Sequence, residues 1–257
     1  MGPAADFLEK LGWISRPPSD SRFSHPCNVR CQTITAKLLS LRADQCLGIN
    51  CDVEVTRKVA VVLEELGLTY ETIYLDFKSG EQKASDFTKY NPNGRIPVLI
   101  DHKNNDFVLW ESDAILLYLV GKYDPEHKVS VTADEQKYQI IQWLFFQASG
   151  QGPYFGQAFW FRFQHSEKIP SAIERYQKET IRVLGVLESV LSKDEWLVGG
   201  KCTIADLSFI QWNDIVDRAL EGYENFNFEK DFPAVFAWHA KMKARDAFKT
   251  IAAVWVV

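Results

Sequence analysis

Residues 91–101 read NPNGRIPVLID, and they combine turn signals with a short apolar run. Two turn-forming dipeptides, at 91–92 and 93–94, precede Ile-Pro and the apolar residues 98–100. Pro97 has no backbone N–H to donate to a β-ladder, so it is expected at the edge of a sheet or at a bulge. The stretch therefore predicts a tight loop that opens into a short strand, with a proline at the mouth of that strand.

Helix and strand signals alternate on both sides of this loop. KVAVVLEELG at 58–67 has helical apolar spacing and ends at Gly67, a favourable helix-terminating residue. YETIYLD at 70–76 alternates like a strand, and FVLW at 107–110 is expected to pair with VLI as a hairpin. SDAILLYLVGKY then predicts a helix, with Ser112 as its N-cap.

The pattern changes at 124–132, because only helical signals follow for more than a hundred residues. The sequence thus predicts an α/β domain followed by an all-α domain. We expect an atypical N-terminal segment at 1–55, the α/β domain at 56–125 and the helical domain at 132–257.

Two local signals stand out in the helical half. Gly150, Gly152 and Pro153 lie midway along its first long segment, where they predict a kink or a break. Thr203 and Asp206 are three residues apart, which predicts a capping box that uses Asp.

The composition limits the functional classes. The 257 residues carry a formal net charge of −5, which argues against a nucleic-acid partner. No apolar run is long enough for a membrane span, and the first residues lack a secretion signal, so we expect a cytoplasmic protein. Of the five cysteines, four lie at 27, 31, 46 and 51. Their spacing fits zinc poorly, so we treat them as reduced thiols and expect no metal.

A first strand is missing ahead of the helix at 58–67. TITAKLLSL at 33–41 could supply it, although a connection of about fourteen residues to the helix is long. Alternatively, SRFSHP at 21–26 is the end of the strand, and the segment from Cys27 to about Val55 is an insertion, from altered splicing or an erroneous gene model.

Three separated motifs resemble one protein family. NPNGRIPVLID, then WESDAILLYL, then WLVGGKCTIADLSF recur in this order in glutathione transferases. The resemblance covers about residues 57–257. It implies the glutathione transferase fold, in which an α/β thioredoxin-like N-terminal domain precedes an all-α helical C-terminal domain.

Two longer stretches resemble a fungal branch of that family. ELGLTYETIYLDFKSGEQKASDF and WLFFQASGQGPYFGQAFWFRFQHSEKIPSAIERY are similar to the nitrogen-catabolite-regulator subfamily, the group that contains the yeast prion protein.

The resemblance implies a glutathione-binding site. In the family the Ile96–Pro97 peptide is cis, which turns the backbone groups of Ile96 outward to pair with the cysteinyl backbone of glutathione. Ser112, at a helix N-terminus, is expected to hold the γ-glutamyl carboxylate, because such a terminus favours anions. Glu111 is expected to take the ammonium group of the same γ-glutamyl residue.

Other residues have lesser or structural roles. The resemblance gives Arg95 and Gln82 as further candidates for glutathione contacts, with Gln82 near the glycine carboxylate, although both could equally be solvated loop residues. Pro97, Thr203 and Asp206 are expected to be structural.

The residue that activates the sulfur is not identified. In the subfamily an Asn near the start of the first helix favours the glutathione thiolate, but here that position holds Val55, which has no side-chain donor. Asn50, Cys51 or Thr56 could substitute, with Asp52 as a cap that leaves Cys51 near the positive end of the helix.

The electrophile is expected to bind between the domains, against two or three residues of an aromatic-rich segment. Its aromatic members are Trp143, Phe146, Tyr154, Phe155, Phe159, Trp160 and Phe163.

The leading hypothesis is a cytoplasmic, homodimeric glutathione transferase in detoxification. Glutathione would be its co-substrate for conjugation, or for peroxide or disulfide reduction, with a small apolar electrophile or disulfide as the partner. The alternative is a non-catalytic glutathione-binding regulatory module that has lost the sulfur-activating residue. A third hypothesis is a poorly folding variant without its first strand.

Overall fold

The structure, a computed structural model, describes residues 36–41 and 51–254, and the side chains of Leu38 and of residues 56–253. These residues belong to one compact unit, Gln32–Val257.

A four-stranded mixed sheet occupies the first half of the described chain. Its strands are β1 (Ala36–Leu41), β2 (Tyr70–Leu75), β3 (Val98–Asp101) and β4 (Phe107–Trp110), in the spatial order β2-β1-β3-β4. β1 runs parallel to β2, whereas β1–β3 and β3–β4 are antiparallel. The predictions of a strand at 70–76 and of the β3–β4 hairpin are confirmed.

β1 decides between the two alternatives for the first strand. Ala36–Leu41 lies within the segment 33–41 and pairs with β2 on one side and β3 on the other. The insertion hypothesis is therefore wrong for these residues, because they form a central strand of the sheet. The other candidate, SRFSHP at 21–26, lies outside the described residues.

Three helices accompany the sheet: α1 (Cys51–Glu65), the short α2 (Ser85–Thr88) and α3 (Ser112–Tyr123). α1 begins seven residues before its predicted start, so Asp52 lies inside the helix and its expected role as a cap is wrong. Its end is as predicted. Gly67 has a φ of 63°, and the N–H of Leu68 donates to the carbonyl of Leu63 at 2.9 Å.

Nine helices follow in the described part of the second half. They are α4 (Asp134–Phe146), α5 (Gly152–Phe159), α6 (Pro170–Leu191), α7 (Ile204–Leu207), α8 (Ile210–Asn213), α9 (Val216–Ala219), α10 (Phe228–Asp231), α11 (Pro233–Lys243) and α12 (Asp246–Val254). The break predicted at 150–153 is a π-helical turn, Gln147–Gln151, between α4 and α5, and a second π-helical turn, Trp160–Gln164, follows α5.

The middle of α1, residues 58–63, is buried. The helix packs against β1 and α3, and on its other side against α7, α8 and α12 of the helical half. Residues 59–63, with sequence VAVVL, are each at most 1% exposed. The guanidinium of Arg245 also donates two hydrogen bonds to the Glu65 carboxylate, at 2.5 and 2.8 Å. α1 is therefore the element through which the sheet and the helical half are joined.

The predicted capping box is confirmed at α7. The N–H of Thr203 donates to Asp206 Oδ2 at 2.8 Å, and the N–H of Ala205 donates to the Thr203 hydroxyl. Asp206 Oδ1 accepts from the N–H of Leu197 and from the indole N–H of Trp238, at 2.9 and 3.0 Å. Burial raises the pKa of Asp206, and these hydrogen bonds act in the opposite direction. Asp206 thus holds three segments together as a structural residue.

The loop NPNGRIP has a fixed conformation. The Asn91 side chain donates to the carbonyl of Arg95 at 2.6 Å and accepts from the N–H of Asn93 at 2.9 Å. Gly94 has a φ of 63°, and a Cβ atom there would lie 2.9 Å from the carbonyl oxygen of Gln82. The following Ile96–Pro97 peptide is cis, as expected.

Gly94→Ala should destabilise the fold by about 1–3 kcal/mol, because it combines a left-handed backbone with a clash against another backbone. Gly121→Ala is the matched control, since Gly121 lies within α3 and a Cβ atom there meets nothing within 4 Å. The control should stabilise the helix by up to about 1 kcal/mol. Denaturant unfolding measures both variants, and equal effects would contradict the assignment of a required glycine at 94.

Candidate functional site

A cavity of about 820 Å³ opens between the sheet-bearing half and the helical half. One wall consists of the loop before β3 and the first two turns of α3. The other consists of α4, both π-helical turns, α5 and one residue of α8, and Lys58 of α1 also lines the cavity. This volume is typical of small-molecule sites, and the position between two structural layers is also typical.

The structure brings four of the five predicted glutathione-binding residues together. Arg95, Ile96, Glu111 and Ser112 all line the cavity. Gln82 is not among the lining residues, and its Oε1 atom is buried without a hydrogen-bond partner in the described chain. Gln82 is therefore not placed with the other four residues.

Ile96 lines the cavity at the edge of the sheet. The residue is 6% exposed, and it lies two positions before Val98, the first residue of β3. The backbone N–H and C=O of Ile96 therefore stand outside the strand pairing, where a peptide-like ligand could add to the sheet as an extra strand.

The first turn of α3 differs by one residue from the prediction. Glu111 is the N-cap and Ser112 is the first helical residue, so the expectation that Ser112 caps the helix is wrong. No side chain caps α3, and the Ser112 hydroxyl makes no hydrogen bond with any residue that the structure describes. The hydroxyl and the first amides of the helix are therefore available to an anionic group.

Glu111 has an unusual backbone conformation, with a φ of 68° and a ψ of 113°. A non-glycine residue in such a region costs about 1–3 kcal/mol, and such residues cluster at functional sites. The conformation holds an exposed carboxylate beside the N-terminus of α3.

The sequence reasoning missed a buried cation at this site. Lys58 is 1% exposed and lines the cavity. Its Nζ donates to Asp113 Oδ1 at 2.5 Å and to Gln147 Oε1 at 2.9 Å. Burial lowers the pKa of Lys58, while Asp113 and, less strongly, Glu111 act in the opposite direction. The five apolar residues that follow Lys58 could have indicated that this part of α1 is buried all round.

The aromatic wall of the cavity also differs from the expectation. Of the seven aromatic residues expected to supply two or three contacts, only Trp160 lines the cavity. Trp143, Phe155 and Phe159 are core residues, at most 8% exposed. Helical spacing could not show which aromatic side chains face inward, because core and cavity both select apolar residues.

Two other aromatic residues complete this wall, Phe145 from α4 and Trp212 from α8. A Cβ atom on Gly156 would lie 3.3 Å from the Trp212 ring, and one on Gly152 would lie 3.6 Å from its indole nitrogen. The close approach at Gly156 thus leaves room for Trp212 at the cavity, whereas the distance at Gly152 is an ordinary contact.

Of the candidates for sulfur activation, only Thr56 has a described side chain, and it does not line the cavity. Val55 lies inside α1 rather than in the preceding loop, and its side chain is outside the described part, as is that of Cys51. Asn50 is outside it altogether. Thr56 is fully buried, with an unpartnered hydroxyl, and is not a lining residue.

The described residues contain neither a metal-binding cluster nor a membrane-spanning helix. Across 36–41 and 51–254, no group of three or more His, Cys, Asp or Glu side chains is arranged to hold a metal. The cysteines at 27, 31 and 46 lie outside these ranges. None of the described helices combines the length and apolarity needed to cross a membrane.

Comparison with known families and relatives identifies the chain. The family model "Glutathione S-transferase, N-terminal domain" matches residues 52–121, and the corresponding C-terminal domain model matches residues 153–246. Glutathione S-transferase 2 of Schizosaccharomyces pombe is 51% identical over 201 residues, which cover 75% of this chain and 87% of the relative. The chain belongs to the glutathione S-transferase family.

Other relatives connect this glutathione S-transferase family member with the nitrogen-regulator branch, as the subfamily resemblance predicted. Protein URE2 of Candida maltosa is 42% identical over 225 residues, covering 74% of this chain and 67% of the relative. Glutathione transferase URE2P8 of Phanerochaete chrysosporium, solved with oxidized glutathione, has a TM-score of 0.77 and 50% identity, covering 85% and 93% of the two chains. Ure2p in complex with glutathione has a TM-score of 0.75 and 42% identity, covering 84% and 97%.

Proposed function

We propose that this glutathione S-transferase family member binds glutathione in the cavity and uses it on small apolar electrophiles. The reaction would be conjugation, or the reduction of a peroxide or disulfide. The observation that carries the proposal is the meeting, in one cavity, of the cis Ile96–Pro97 peptide with Glu111 and Ser112 at the start of α3.

Each part of glutathione has a chemically matching group. The cysteinyl backbone would pair with the N–H and C=O of Ile96 as an added strand. The γ-glutamyl carboxylate would bind the Ser112 hydroxyl and the amides of the first turn, and its ammonium would bind Glu111. Arg95 lies on the same loop as Ile96 and is a cationic partner for the glycine carboxylate. Relatives solved with oxidized glutathione and with glutathione support this reading.

The electrophile would occupy the apolar side of the cavity. Trp160 and Phe145 are 38% and 68% exposed there, and Leu117 is 37% exposed. Such exposed apolar side chains around a concave site favour an apolar ligand. A relative was cocrystallised with 1-(S-glutathionyl)-2,4-dinitrobenzene, which is consistent with an aromatic electrophile.

A second candidate function is a non-catalytic glutathione-binding module with a regulatory role. Val55 has no donor with which to favour the thiolate. One structural relative, at 42% identity, is the nitrogen regulation fragment of the yeast prion protein Ure2p. We further propose that the protein is a cytoplasmic homodimer, which sedimentation and cell fractionation would check.

Retention on a glutathione-affinity column, followed by assays with 1-chloro-2,4-dinitrobenzene and with a hydroperoxide, separates these functions. We expect retention together with turnover in at least one assay. Retention without turnover would favour the regulatory module. No retention would contradict glutathione binding itself.

Ser112→Ala should weaken glutathione binding about tenfold, because it removes one hydrogen bond to a charged group. Ser208→Ala is the matched control, since Ser208 is a buried serine in the helical half whose hydroxyl donates to a backbone carbonyl. Calorimetric titration with glutathione measures both variants. Unchanged affinity in Ser112→Ala would contradict the proposed carboxylate site.

Gly156→Leu should weaken binding of S-hexylglutathione about tenfold while changing glutathione binding less than about twofold, because the new side chain fills the apolar side only. Gly185→Leu is the control, since Gly185 lies in α6 and a Cβ atom there meets nothing within 4 Å. Equal losses for the two ligands would show that the apolar side does not hold the S-substituent.

A further inference from the structure

Lys58 contacts the first turn of α3 through the side chain of Asp113. It is 1% exposed, and its ammonium lies 2.5 Å from Asp113 Oδ1. Burying an ammonium group costs several kcal/mol unless partners compensate for its lost hydration. A residue kept at that cost requires either a structural or a functional reason.

The position of the ammonium is fixed by a chain of buried amides. Gln147 Oε1 accepts from Lys58, Gln147 Nε2 donates to Gln151 Oε1 at 3.3 Å, and Gln151 Nε2 donates to Asn213 Oδ1 at 2.8 Å. These three amide residues are at most 3% exposed. The π-helical turn between α4 and α5 supplies both glutamines. The ammonium is therefore held in place from the helical half.

The other partner, Asp113, faces the ligand side. Its side chain is 13% exposed and lines the cavity. Oδ1 is occupied by Lys58, whereas Oδ2 accepts no hydrogen bond from any residue within the described ranges. An accessible carboxylate oxygen thus remains beside Ser112, on the opposite side of it in sequence from Glu111.

The negative charges that would meet at the γ-glutamyl site favour a cation beside them. Glu111, Asp113 and the γ-glutamyl carboxylate of the proposed ligand would bring three negative charges together, against one ligand ammonium. Lys58 adds a second positive charge, and the N-terminus of α3 adds about half a charge. Lys58 therefore allows two carboxylates to stand beside a third without strong repulsion.

We propose that Lys58 is a positioning residue for the γ-glutamyl group of glutathione: by holding Asp113 Oδ1, it presents Asp113 Oδ2, together with Glu111, to the ligand ammonium. This inference rests on the proposed function, because it concerns the same ligand site. A purely structural role for Lys58, like that of the Arg245–Glu65 pair, makes a different prediction.

The test compares S-hexylglutathione with S-hexyl-cysteinylglycine, which lacks the γ-glutamyl residue and has a free cysteinyl amino group in its place, by calorimetric titration. Lys58→Met should weaken binding of S-hexylglutathione about 10- to 100-fold, because it removes the support of a charged hydrogen bond. Binding of S-hexyl-cysteinylglycine should change less than about twofold. The ratio of the two affinities, which measures the preference for the γ-glutamyl ligand, should therefore fall about 10- to 100-fold.

Lys137→Met is the matched control. Lys137 pairs with Asp134 at 2.8 Å on the surface of α4, so this variant also removes one lysine–aspartate pair. Neither ligand should bind differently to it.

The outcomes separate the two proposals. Equal losses for both ligands in Lys58→Met, or an unchanged preference, overturn the positioning role and leave the proposed function standing. A wild-type protein that binds neither ligand overturns the proposed function and this inference with it.

If Lys58→Met does not fold, Asp113→Asn serves as the second variant, because it changes one partly exposed carboxylate into an amide of equal size. It should lose the γ-glutamyl preference in the same way, with Asp134→Asn as its surface control. A retained preference in Asp113→Asn overturns the inference.

Discussion

The structure depends on the burial of the middle of α1, residues 58–63, between the sheet and the helical half. A helical segment that is enclosed on all sides must be apolar nearly all round, and residues 59–63 meet that requirement. Its polar residues then need partners from the neighbouring elements. Lys58 finds Asp113 from the sheet-bearing half and Gln147 from the helical half, and Glu65 finds Arg245. These contacts fix the relative positions of the two walls of the cavity.

The ligand side of the cavity is built chiefly from backbone rather than from side chains. The cis peptide at Ile96–Pro97, the left-handed Gly94 and the rare conformation of Glu111 each set the direction of main-chain groups. A peptide-like ligand can use such groups as it would use a strand or a helix end. This explains why a motif of turn residues, prolines and glycines carries more information about the site than any single reactive side chain.

Local patterns predicted the elements whose form is decided locally. β2, the β3–β4 hairpin, the end of α1 at Gly67 and the capping box at Thr203 all depend on residues close in sequence. The cis peptide followed from the resemblance to the family. The interruption of the helix near Gly150 was also visible, because glycine and proline act within one or two turns.

Tertiary packing decided the burial of Lys58, the division of the aromatic residues between core and cavity, and the starts of two helices. Lys58 resembles a solvated lysine until the burial of α1 is known, and the seven aromatic residues cannot be divided between core and cavity by spacing alone. The starts of α1 and α3 were each misplaced, because helix boundaries depend on caps and on neighbouring elements. In particular, the long helix start moved Val55 from a loop into a helix.

The two π-helical turns that flank α5 determine how α5 is rotated about its own axis, and therefore which of its residues form the apolar wall of the cavity. A π turn closes with one residue more than an α turn, and one residue corresponds to about 100° of rotation about a helix axis. Deleting or inserting a single residue at 147–151 would therefore turn Gly152, Gly156 and Trp160 to a new angle, while the loop at 91–97 kept its place. A one-residue change in length would therefore alter the wall that faces the electrophile, and it would also displace the amides of Gln147 and Gln151 that hold Lys58 on the glutathione side.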